Sequence, residues 1–125
     1  MKGINTEDKI RTKYEQSMHK SEDALVAIRN RKKDLERQEG NFHITKKHLF
    51  RYCEEQRERY AGTDDMIRYN RMENDIHELT TLSRTLLDKE YEEIKKEEKR
   101  LYQQQEKYYQ EYLSEMRSYH NKENT

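Results

Sequence analysis

The stretch "RYAGTDDM", residues 59–66, is the place in this chain where residues that end helices gather. On either side lie long, charged segments without proline. Gly62 suits the left-handed residue that ends a helix, and Thr63 or Asp64 suits the cap that starts the next one. The stretch therefore predicts a turn near residues 61–64 that joins two helices.

Composition favours helices over a globular core. The chain has 125 residues, of which 30% are hydrophobic and 42% are charged, so little apolar surface is available for burial. Disordered chains of such composition are usually rich in Pro, Gly and Ser, whereas this one has no Pro and three Gly. Its Glu, Lys, Arg, Gln and Leu are good helix formers. We expect one all-α domain, residues 1–125, built from long, coiled-coil-like helices.

A first helix is predicted for about residues 6–60, because apolar residues there recur at heptad spacing. Asn5 or Thr6 can cap its start. Gly40 lies inside the segment but leaves the register intact, and its cost of about 1 kcal/mol relative to Ala can be overridden by packing. The segment is therefore expected to form one unbroken helix.

A second helix is predicted for about residues 65–119, with short flexible termini beyond both helices. Its apolar positions follow the same spacing up to Leu86 and then move by one position to a line that begins at Leu87. Such a shift accommodates the drift of a straight helix from a seven-residue repeat. The predicted seam between the two helices consists of Ile28, Leu35, Phe42, Leu49, Met72, Ile76, Leu79, Leu86 and Leu101.

Folding the chain at the predicted turn brings the apolar positions of the two segments together. The pairs that result are Tyr14 with Tyr112, Leu25 with Leu101, Leu35 with Tyr91, and Leu49 with Ile76 or His77. The sequence therefore predicts an antiparallel helical hairpin of two long helices.

Apolar residues remain beside this seam. Phe50 follows Leu49, and Leu87 follows Leu86, so the apolar surface is wider than two helices need. Tyrosines are also concentrated in residues 102–119, and tyrosine offers a large rigid contact area with a polar tip. We expect either a helical protein partner or self-association into a homo-oligomer to cover this surface.

Charge and hydropathy argue against two other classes of partner. Twenty-six basic residues balance 26 acidic ones, and they are interleaved, whereas nucleic-acid-binding proteins usually carry a one-signed patch. No apolar run is long enough for a membrane span, and no signal peptide is evident. We expect a cytoplasmic chain that, if exported with its partner, uses a route independent of a signal peptide.

Motifs for catalysis, metals or cofactors are missing from the sequence. No His has a Glu three residues before it, which is the spacing of carboxylate-bridged di-iron sites in helical bundles. The three glycines are far apart, so they form no phosphate-binding loop. Cys53 falls on the predicted seam, where it would be a small buried hydrophobe. We expect no enzyme, no cofactor and no metal site.

The turn and the C-terminal tail resemble those of a known group of proteins. Small helical hairpins with Trp-X-Gly in the connecting turn define the WXG family of ESX (type VII) secretion proteins. "YAG", residues 60–62, is similar to that motif, with Tyr in place of Trp. Many members carry Tyr-x-x-x-Asp/Glu just after the second helix, and "YHNKE", residues 119–123, matches this pattern.

Longer helices and higher charge make the chain look most like the α-helical Lap-type proteins encoded with LXG-domain toxins of Gram-positive bacteria. That resemblance implies a chaperone-like targeting factor that binds the helical N-terminal domain of an LXG toxin for type VIIb secretion, with a second small helical protein as a further partner. The predicted partner-binding residues are Tyr60, Gly62, Phe50, Leu87, Tyr109, Tyr112, Tyr119 and Glu123.

Two alternatives stay open at this point. Stalk or escort proteins of the flagellar and type III export apparatus are also charged antiparallel hairpins of similar size. A structural coiled coil that associates with itself through the spare apolar surface would satisfy the same pattern.

Overall fold

Two long α-helices make up nearly all of the chain. The computed structural model describes residues 5–123, in which α1 runs over Thr6–Arg59 and α2 over Asp65–Glu123, with no strand in that range. The all-α helical hairpin predicted from the sequence is therefore confirmed. Residues 120–123, predicted as part of a flexible terminus, belong to α2. The rest of the predicted termini, residues 1–4 and 124–125, lies outside the described residues.

Both predictions for α1 that concern single residues agree with the structure. The backbone N–H of Asp8 donates a hydrogen bond to Asn5 Oδ1 over 2.8 Å, so Asn5 caps the helix. Glu7 and Asp8 lie in the first turn, where their charges oppose the positive end of the helix dipole. The helix continues through Gly40 without interruption.

The turn depends on Gly62 and Thr63. Gly62 has a φ of 79°, a left-handed conformation that residues with a side chain rarely adopt. The backbone N–H and the hydroxyl of Thr63 donate to the Tyr60 carbonyl oxygen over 3.0 and 2.7 Å. Thr63 therefore uses its hydroxyl to close the end of α1, and the Tyr60 ring stacks on Tyr69 with centroids 5.6 Å apart.

Contacts between the helices group into two units, and each helix contributes a segment to both. We call residues 5–30 with 94–123 the terminal unit and residues 31–93 the turn unit. In the terminal unit, Tyr14 stacks on Tyr112 with ring centroids 4.6 Å apart, which confirms that predicted pair. Leu25 and Leu101, also a predicted pair, are both buried.

Buried residues follow the length of the turn unit: Leu35 and Ile76 are buried, and Cys53 is fully enclosed. Phe50 contacts the His77 ring, with centroids 4.7 Å apart. Ile28 in the terminal unit and Phe42 and Met72 in this one are half-buried, as seam residues of a two-helix structure should be.

Three predicted seam residues lie outside the core. Leu49, Leu79 and Leu86 are 43%, 61% and 55% exposed. The half-buried residues Phe50, Thr80 and Leu87, each one position later, face the other helix instead. The cause is helical drift: 3.6 residues per turn exceeds the 3.5 of a strict heptad, so the buried line moves forward along the sequence. The predicted shift therefore occurs before Leu79 rather than after Leu86.

Candidate partner-binding surface

Three exposed leucines of α2 form one stripe. Leu79, Leu82 and Leu86 are 61%, 57% and 55% exposed, and all three belong to the turn unit. Their spacing of three and then four residues places them on one face of the helix. We call these three residues the leucine stripe.

The leucine stripe continues into an apolar groove between the helices of the turn unit. This open groove has a volume of about 420 Å³ and is lined by Leu35, Phe42, Leu86 and Leu87, with polar side chains at its edges. Leu86 belongs to both the stripe and the groove, so the apolar surface is continuous across them. Contiguous exposed apolar surface of this kind commonly marks an interaction site.

A second groove of the turn unit has a volume of about 540 Å³, and we call it the polar groove because charged side chains such as Glu36, Glu39 and Arg84 line it. The Tyr91 hydroxyl donates to Glu39 Oε2 over 2.7 Å, and Arg84 Nη1 donates to Glu39 Oε1 over 3.1 Å. Arg84 also pairs with Asp88 over 2.9 Å. The polar groups of this groove are therefore paired with one another. An apolar partner would have to cover charged side chains here, so the groove suits it less well than the leucine stripe does.

The same contacts perturb the titration of both groups. Hydrogen bonds from Tyr91 and Arg84 lower the pKa of Glu39 below its ordinary value. The hydrogen bond to Glu39, followed by partial burial and the negative charge of Glu39, raises the pKa of Tyr91 to about 12. The Tyr91 proton is therefore held strongly, as befits a structural hydrogen bond between the helices.

Cys53 occupies the core beside an ion pair. Arg57 Nη2 lies 2.8 Å from Glu73 Oε2, which bridges the two helices near the turn. Burial, with a smaller contribution from Glu73, raises the pKa of the Cys53 thiol. The thiol is accordingly protonated at neutral pH, which fits a small buried hydrophobe. Within residues 5–123, no group of three or more His, Cys, Asp or Glu side chains is placed to hold a metal ion.

Several predicted partner-binding residues take part in contacts within the hairpin. Tyr60 and Gly62 form the turn, and Phe50 and Leu87 are half-buried between the helices. Tyr112 stacks on Tyr14 in the terminal unit.

Three further predicted residues lie near the end of α2. Tyr109 is 43% exposed and offers an accessible ring. The Tyr119 hydroxyl donates to Glu123 Oε1 over 2.6 Å, and this contact raises the pKa of Tyr119. The predicted helix ends at about Tyr119 and leaves Glu123 beyond it, whereas both residues belong to α2, which continues to Glu123.

Leu82 is the residue of this surface that the sequence analysis missed. The signal was present, since Leu82 lies three residues after Leu79 and four before Leu86. The predicted seam includes Leu79 and Leu86 but not Leu82, so the three residues were not recognised as one exposed stripe.

Comparison with known proteins does not add to this description: no family model, no curated protein and no solved structure matches the chain. Neither helix, over the residues described, contains a segment long and apolar enough to cross a membrane.

Proposed function

We propose that this protein is a non-enzymatic helical binding protein whose leucine stripe receives an apolar helix of a partner. The observation that carries the proposal is the exposure of Leu79, Leu82 and Leu86, each of which is more than half exposed on one helix face. Amphipathic helices commonly bind such surfaces by placing residues of matching spacing into the groove beside them.

The energetics favour a partner at this surface. Fully burying a leucine is worth about 1.5–3 kcal/mol, so covering the exposed half of each stripe residue contributes about 1 kcal/mol. Further apolar area becomes available at the half-buried Phe42 and Leu87 in the adjoining groove. A partner helix that buries a similar apolar area of its own doubles this burial free energy. The entropic cost of association must then be subtracted from the sum.

For the partner, we propose the helical N-terminal domain of an LXG-type toxin, with the chain acting as a chaperone-like targeting factor for type VIIb secretion. Support comes from the resemblance of the "YAG" turn and the "YHNKE" tail to the WXG and Lap-type proteins, and from the helical hairpin itself. The described helices offer exposed apolar surface for another helix, which fits a binding role.

Co-expression with the N-terminal domain of the toxin encoded beside this chain tests the proposal. We expect the two to co-purify as a stable complex. A Leu79→Asp/Leu86→Asp variant should lose the complex while keeping its helix content, because both side chains are more than half exposed. Ile44→Asp is the matched control, since Ile44 is 55% exposed but lies on α1, away from the stripe.

Two results would count against the proposal in different ways. If the charged stripe variant bound as well as the Ile44→Asp control, the leucine stripe would not be the binding surface. If the unmodified chain bound no toxin domain from its gene neighbourhood, the assignment of the partner would be wrong.

A further inference from the structure

The leucine stripe ends in opposite charges on the same face of α2. Asp75 lies four residues before Leu79, and Lys89 lies three residues after Leu86, so both continue the spacing of the stripe. Both side chains are exposed. The ion pairs found within residues 5–123 engage neither of them. These two charges are therefore available to a molecule that covers the stripe.

This pattern is complementary to itself when the helix is reversed. Asp75 and Lys89 are equally far from Leu82, one on each side. A two-fold axis at Leu82 would therefore place Asp75 of one copy opposite Lys89 of the other. Leu79 and Leu86 would meet within one residue of exact register, an offset of about 1.5 Å along the helix.

A second pair of charges obeys the same symmetry. Arg71 and Glu93 also lie at equal distances on either side of Leu82, and both are exposed. The reversed pairing thus places opposite charges together at four points around the axis. A parallel pairing in register would instead bring each charge against its own copy, which is unfavourable.

Glu90 is next to Lys89 in the sequence but does not compete with Asp75 of the other copy for its charge. Its carboxylate forms an ion pair with Arg31 of the same chain, so its charge is already compensated. Arg31 is also 3.8 Å from Glu93 and lies at the edge of the same surface. Arg31 therefore neutralises chiefly Glu90, the nearer carboxylate, which leaves Lys89 for Asp75 and Glu93 for Arg71 of the other copy.

We propose that the leucine stripe binds a second copy of this chain, with the two α2 helices antiparallel about a two-fold axis at Leu82 and with Asp75 paired to Lys89 of the partner copy. This self-association uses the surface of the proposed function, so a second copy and a toxin helix would compete for it. It does not depend on the identity of that other partner.

Charge-swap variants analysed by sedimentation equilibrium test the pairing. We expect the mass of the unmodified chain to rise with concentration from 15.6 kDa towards twice that value. Asp75→Lys and Lys89→Asp should each weaken dimerisation about tenfold or more, because each replaces two attractive pairs with repulsive ones. The Asp75→Lys/Lys89→Asp double variant should recover dimerisation, since it restores both pairs in reversed sense.

Mixing the two single variants is a complementary measurement, whereas the weakening seen in each single variant alone is what separates antiparallel from parallel pairing. An equimolar mixture should form heterodimers, because the lysine introduced into one chain would face the aspartate introduced into the other. The unchanged Lys89 of the first chain and the unchanged Asp75 of the second would also pair. Circular dichroism should report unchanged helix content in every variant, since Asp75 and Lys89 are exposed.

Each contrary outcome has a defined meaning. A chain that stays at 15.6 kDa at all concentrations would overturn the proposal, even if it bound the toxin domain. A double variant as weak as the single variants, or a mixture that formed no heterodimers, would refute the antiparallel pairing. A dimer that bound no toxin domain would leave this inference standing and refute only the assigned toxin partner.

Discussion

Replacing Leu35 by Asp should destabilise the hairpin far more than the same change at Ile44, although both lie on α1. Leu35 is 9% exposed and Ile44 is 55% exposed. Removing the apolar part of a buried leucine costs about 2 kcal/mol, and burying a protonated carboxyl group without a hydrogen-bond partner adds about 1–3 kcal/mol. Ile44 buries only about half of its side chain, so replacing it costs about 1 kcal/mol of apolar burial. The new carboxylate stays in water there and adds no burial penalty.

The consequence should be large on the scale of the whole molecule. Small domains are stable by about 5–15 kcal/mol, and a hairpin with one shared face belongs near the lower end. Leu35→Asp therefore removes most of the stability of the turn unit, whereas Ile44→Asp removes a small part. Urea unfolding at neutral pH, followed by far-ultraviolet circular dichroism, measures both free energies of unfolding under the same conditions.

Equal losses in the two variants would refute this reasoning. If Leu35→Asp unfolded at the same urea concentration as Ile44→Asp, Leu35 would not lie between the helices, and the register of the turn unit would be wrong. Dilute protein should be used, so that self-association contributes little to either measurement. Ile44 is a suitable control for this purpose because it does not belong to the leucine stripe.

The remaining predictions concern the turn and the polar groove. Gly62→Val should destabilise the hairpin by about 1–2 kcal/mol in thermal unfolding, because a β-branched residue resists the positive φ of this position. Gly40→Ala should instead stabilise it by up to about 1 kcal/mol, since Gly40 is helical and a Cβ there would meet no atom within 4 Å. The pKa of Tyr91 is raised from 10.0 to about 12. The tyrosinate absorbance that the Tyr91→Phe variant lacks should therefore be the part that develops near pH 12, and not the part that develops near pH 10.0. The stabilising effect of the raised pKa is complete below pH 10.0 and is lost as pH rises to about 12, and Glu39→Gln should move the ionisation of Tyr91 to lower pH.

Sequence reasoning found most of the fold because its signals are local. Gly62 indicated a left-handed turn residue, Asn5 indicated a helix cap, and the structure has both features. The antiparallel pairing of Tyr14 with Tyr112 followed from the position of the turn and the constant rise of a helix, and the rings do stack. The C-terminal end of α2 was predicted too early, because no Gly or Pro marks it and helix ends carry weak signals without them.

The candidate surface was harder to predict because burial depends on the facing helix. Leu79 and Leu86 fit a heptad seam as well as Thr80 and Leu87 do, and adjacent residues differ by only about 100° around a helix. Hydrophobicity alone favours Leu79 and Leu86, because the other pair contains the polar Thr80. In the structure the half-buried residues are Thr80 and Leu87, and the more apolar stripe is left in solvent.

Two helices, the turn that joins them and the antiparallel register follow from the amino-acid sequence, since these depend on local conformation and chain length. Which face of α2 is shared with α1 depends instead on how the two helices pack. That choice rests on accumulated helical drift and on the burial of Leu35, Cys53 and Ile76 at separate points between the helices, neither of which a seven-residue pattern encodes. The exposure of the leucine stripe, and with it the proposed binding surface, follows from that decision.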